Sequence, residues 1–154
     1  MSETKELESV EAIPSRTLRD KVDTLEAEML KLPPVEIPVR HYFATGLYAR
    51  EITIPAGVVA VGKIHKTQHI NLLSKGDVSM VTDAGSVRVQ APYTWVVEPG
   101  KKAAAYAHTD TVWTSFCVNP TDETDLVKLE AALTSPVYLD QLEAIEVPAI
   151  EKEA

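Results

Sequence analysis

From Leu47 onward the chain is written in short apolar runs divided by turns. The runs cover 47–54, 58–64, 69–74, 77–82, 86–90, 94–98, 102–107 and 111–118, and most are rich in β-branched or aromatic residues. Between them stand turn-forming combinations: Pro55 to Gly57, Lys75 to Asp77, Asp83 to Gly85, Ala91 with Pro92, and Pro99 with Gly100. Many short strands at this even spacing predict an antiparallel sandwich or barrel over 47–120. No helical pattern separates the runs, which argues against a parallel α/β sheet.

The flanks read differently. Leu18, Val22, Leu25, Met29 and Leu32 recur at alternating four- and three-residue steps, an apolar stripe on one helical face. Ser15 is a candidate N-cap, and Pro33 with Pro34 stops the helix because neither nitrogen can donate. The pattern predicts an amphipathic helix over 15–34, packed on its own domain or forming a short coiled-coil contact between subunits. Residues 1–14 are acidic and read as disordered, and 35–46, with Pro38, read as an extended linker. His41, Tyr42 and Phe43 would anchor that linker onto the barrel. After Pro120, Thr121 is a candidate cap for a helix bearing Leu126, Leu129, Ala132 and Leu133, with Ser135 and Pro136 ending it. A second short helix is predicted over 137–144. C-terminal helices therefore occupy 121–145, and 146–154 is a tail.

Composition narrows the function classes. The 154 residues carry a formal net charge of −8, which speaks against a nucleic-acid surface, since such surfaces cluster lysine and arginine against phosphate. One cysteine excludes an internal disulfide framework and fits a reducing compartment. No apolar run approaches the roughly 20 residues that span a bilayer, so the expectation is a cytoplasmic chain with no membrane partner.

The candidate chemistry lies in Gly57 to Gly76. Its fixed points are Gly57, Lys63, His65, His69 and Gly76, with gaps of five, one, three and six residues. Those glycines and spacings resemble the first signature of the cupin superfamily, in which a glycine precedes two histidines, a glutamate and a closing glycine. Pro99 and Gly100 resemble the turn of its second signature. The resemblance covers 47–118 and implies a single cupin-like β-sandwich, or jelly roll, with a site inside the barrel. In metal-binding cupins two histidines, the glutamate and a later histidine hold one divalent metal. By position this chain offers Lys63, His65 and His69 in the first three places. An ammonium must lose its proton to bind, whereas imidazole suits Zn, Fe, Ni or Cu; Mn is a further candidate metal. The metal expectation is therefore His65 and His69, completed by Cys117 or His108, with Gln68 or Asn71 orienting a ring. Lys63 or Tyr106 would handle protons. A helical metalloprotease reading of His65 and His69 fails, because no glutamate follows His65 and the surroundings are β-prone.

Three longer runs, GKIHKTQHINLLSKGDVSMVTDAG, APYTWVVEPGKKAAAYA and DTVWTSFCVNPTDETDLVKLE, resemble small cupin-like proteins frequent in tailed bacteriophages. Such relatives show Glu at the place of Gln68 and His at that of Cys117, so the resemblance implies a depleted ligand set. It also implies a phage-type binding or assembly protein with a phage or host partner, in host cytoplasm or on a virion. The alternative is a metal-dependent oxygenase, isomerase or hydrolase acting on a small molecule. Exposed sheet edges and the helical stripe imply a homo-oligomer. Arg50 and Arg88 alternate with apolar neighbours and face either outward or, as carboxylate binders, into the barrel.

Overall fold

Every strand pairs antiparallel with its neighbours in the computed structural model, which describes residues 18–82 and 85–136. Helix α1 (Leu18–Met29) is followed by strands β1 (Val39–Ala44), β2 (Leu47–Ile54), β3 (Val59–Val61), β4 (Ile64–His65) and β5 (His69–Lys75). Then come β6 (Asp77–Thr82), β7 (Gly85–Gln90), β8 (Tyr93–Val97), β9 (Ala103–Ala107) and β10 (Thr111–Val118). Helix α2 (Leu126–Leu133) and the short β11 (Thr134–Ser135) close the described chain. A five-stranded sheet in the order β1-β2-β10-β5-β8 faces a four-stranded sheet in the order β3-β9-β6-β7, and β11 pairs with β4. This is the mainly β, antiparallel double-sheet architecture that the alternating runs predict. No described helix is long and apolar enough to cross a membrane.

The two sheets meet through alternate residues. On β5, His69, Asn71 and Leu73 are buried while Ile70 is exposed, so the odd positions face inward. Leu73 joins Val78, Met80, Val89 and Ala105 in the core, with Trp95 and Trp113 packed against it. The register carries the same face across the sheet: Asn71 opposes Ser115 and Trp95, Ser115 opposes Arg50, and Arg50 opposes His41. Gly76 permits the tight step from β5 to β6. Its φ is +114°, and a Cβ there would stand 2.9 Å from the Cα of the fully buried Thr111.

The flanking elements depart from the sequence reading in two places. The 35–46 stretch is extended, but 39–44 supplies strand β1, with His41 Nδ1 and Tyr48 Oη sharing a hydrogen bond of 2.7 Å. Phe43 also packs its ring on Tyr48, so the anchoring expected of this stretch is present. Helix α1 lies on its own domain against β6 and β9, with Val22 1% exposed. Lys102 reaches across to Asp23 at 3.4 Å and Glu26 at 2.7 Å. Of the rest of the stripe, Leu18 and Met29 are half-buried, whereas Leu25 is 38% and Leu32 66% exposed. Helix α2 begins later than predicted, since Asp125, not Thr121, accepts from the Val127 and Lys128 amides. The expected cap at Ser15, the segment 1–14, the helix over 137–144 and the tail lie outside the described residues.

Candidate functional site

The concave face of the five-stranded sheet carries the polar groups. Inward positions on β2, β10 and β5 run Tyr48, Arg50 and Ile52; Cys117, Ser115 and Trp113; His69, Asn71 and Leu73. His65 enters from β4, which β11 holds in place, and its ring centroid lies 4.0 Å from that of His69. Leu129 and Leu133 of α2 pack with Tyr48 and Cys117 and seal the adjoining end. Ser115 donates to Asn71 Oδ1 at 2.7 Å, fixing the floor between Arg50 and Trp95.

The electrostatics of this face follow from burial and from one cation. Burial lowers the His65 pKa to about 4, and the neighbouring His69 and Arg50 push the same way. Burial also lowers His69, with the Thr67 backbone pulling partly back. His69 is 5% exposed, and its Nδ1 is buried without a well-formed hydrogen bond. Both imidazoles are therefore neutral at neutral pH. Burial raises the Cys117 thiol to about 11 and raises Tyr48, against the opposing field of Arg50 in each case. Arg50 thus sits within electrostatic reach of His65, Tyr48 and Cys117, and its guanidinium pairs with no described residue.

The other sequence candidates lie elsewhere. Lys63, in the first ligand position, turns outward and pairs with Glu130 of α2. It cannot serve His65 or His69 as a proton carrier from there. Tyr106 lies on the outer face of β9, opposite Ser79, with its ring against His108. His108 Nε2 and Ser79 Oγ share a hydrogen bond of 2.7 Å, so His108 belongs to that outer cluster and not to the histidine pair. Gln68 donates to Glu98 at 2.8 Å and Asn71 accepts from Ser115; neither is bonded to a histidine ring. Arg88 settles outward, forked onto Asp77 by two hydrogen bonds of 2.9 Å.

A divalent metal fits this donor set poorly. His65 and His69 supply two nitrogens, and Cys117 is a protonated thiol in an apolar cluster. Among the described residues no group of three or more His, Cys, Asp or Glu side chains is arranged to hold a metal ion. What sequence reading left open was the direction of Arg50. Only the pairing of β2 with both β1 and β10 fixes its side.

No family model and no curated protein matches the chain. Similar solved structures include a cupin-2 domain protein from Shewanella frigidimarina, at 10% identity and a TM-score of 0.46, covering 60% of this chain and 91% of that one. A cupin domain from Bordetella pertussis is similar at 14% identity and 0.45, covering 57% and 98%. A conserved protein with a double-stranded β-helix domain from Klebsiella pneumoniae is similar at 11% and 0.49, covering 60% and 86%.

Proposed function

We propose that the chain is a non-enzymatic, cupin-like binding and assembly protein of the phage type, whose barrel works as a scaffold without a resident metal. One observation carries this reading: Lys63, in the first ligand position, is engaged by Glu130 on the outside, leaving two imidazoles as the only convergent nitrogen donors among the described histidines. Two donors are too few for a stable site, because protein zinc sites use three or four protein ligands. The sequence resemblance of three long runs to cupin-like phage proteins supports the phage setting. An apolar row across the outer face of the five-stranded sheet, with Ile70 and Val96 exposed, supports assembly.

A metal-dependent enzyme is the second reading. It is favoured by the neutrality and closeness of His65 and His69, since a neutral ring nitrogen is what a metal needs. Elemental analysis of protein purified without chelator separates the two. The expected result is substoichiometric metal, with the folded state intact. Near-stoichiometric metal that disappears in the His65→Ala/His69→Ala variant overturns the scaffold reading.

A further inference from the structure

We propose that the concave face binds a small organic monocarboxylate, with Arg50 as its anchor and Trp113 and Trp95 against its apolar body. The inference rests on the metal-free reading, because a bound metal would itself attract the carboxylate.

Arg50 is a permanent cation on the inward face of β2, directly across from Ser115 and diagonal to Trp113. Its guanidinium remains solvent-accessible and unpaired among the described residues, whereas Arg88 is forked onto Asp77 and Lys102 is held by Asp23 and Glu26. A planar guanidinium matches a carboxylate with two parallel hydrogen bonds. A single guanidinium suits a monoanion better than a dianionic phosphate. A second observation points to the same place: His69 Nδ1 is buried without a well-formed hydrogen bond, in a ring 4.0 Å from His65.

The register gives the rest of the ligand. Ser115 stands directly across from Arg50, and Trp113 is the diagonal neighbour on the same face, roughly 7 Å away between Cα positions. Trp113 and Trp95 meet edge to face with centroids 5.0 Å apart. A carboxylate at Arg50 therefore places a short apolar or aromatic body over Trp113. On the other side of Arg50, Leu129 and Leu133 of α2 pack with Tyr48 and Cys117, which leaves the Trp113 side for the ligand's body.

The chain's two tryptophans are both on this face, so their fluorescence reports occupancy directly. Benzoate, acetate and inorganic phosphate are titrated into the full chain as purified and after treatment with chelator. Saturable benzoate binding is expected in both preparations, with acetate and phosphate weaker. Arg50→Gln should weaken benzoate at least about tenfold, while Arg88→Gln leaves it unchanged. Because Arg50 has no described partner, the variant should keep its fold, which circular dichroism checks. No saturation up to about 10 mM benzoate, equal binding by Arg50→Gln, or tighter phosphate binding would overturn the proposal. Failure in both preparations removes this inference alone. Binding that vanishes on chelation removes both it and the scaffold reading.

Discussion

At the scale of single residues, His65 is where the environment changes chemistry most. Its folded-state pKa of about 4 lies below the ordinary 6.5, so between those values the unfolded chain binds more protons than the folded one. The resulting stability is complete above pH 6.5 and is lost as pH falls through about 4. Allowing for partial exposure, the contribution is about 2 kcal/mol. Urea unfolding at neutral pH and near pH 4 should show that loss, and His65→Asn should reduce it. An identical pH dependence in the variant would mean that His65 is not held neutral by the fold. Residue positions were legible in the sequence, but side-chain directions were not. Lys63 occupies the spacing of a ligand, yet its direction depends on Glu130, which reaches it from a helix far along the chain. Cys117 was placed with Trp113 and Ser115 by strand period alone, but which face was interior needed the opposing Leu73 and Asn71.

At the scale of elements, strands whose pattern alternates cleanly between turns were readable to the residue: 47–54, 77–82 and 111–118 are β2, β6 and β10. Strand β1 was missed as a strand because Pro34 and Pro38 suggest a linker and all its residues are exposed. Its partner, β2, supplies the reason it forms. The start of α2 was misplaced because Thr121, Asp122 and Glu123 make a plausible cap and first turn. Asn119 instead engages Glu123 through two hydrogen bonds, of 2.9 and 3.1 Å, and Asp122 takes φ +52°, so the helix begins after Asp125. Asp125→Ala should therefore destabilise the chain by about 1 kcal/mol, because two amides lose their acceptor. Thr121→Ala should stay within about 0.5 kcal/mol by thermal or chemical unfolding. The reverse order would restore the earlier helix start.

At the scale of the whole molecule, the outer face of the five-stranded sheet carries an apolar row. Tyr42, Ala49, Phe116, Ile70 and Val96 stand opposite one another across all five strands, and Ile70 and Val96 are exposed. Leu47 and Val118 extend the row on one side. Contiguous apolar surface of this kind marks interaction sites in soluble proteins. The assembly half of the proposal assigns it to a second copy, since a symmetric pair covers the same patch on both chains. Light scattering should then give a mass above the 16.9 kDa of one chain, and Ile70→Glu/Val96→Glu should return it to that value. A wild-type monomer would remove self-assembly from the account. Helix α1 is a poorer candidate for that contact, because Val22 is already buried on its own sheet. The central claim is that this barrel keeps the cupin-like spacing without a working metal centre, and cobalt(II) titration of the chelator-stripped chain tests it most directly. The expected spectrum stays that of hydrated cobalt, with neither the intense bands of a low-coordinate site nor a thiolate charge-transfer band from Cys117. Bands that saturate at one cobalt per chain and disappear in His65→Ala would contradict it.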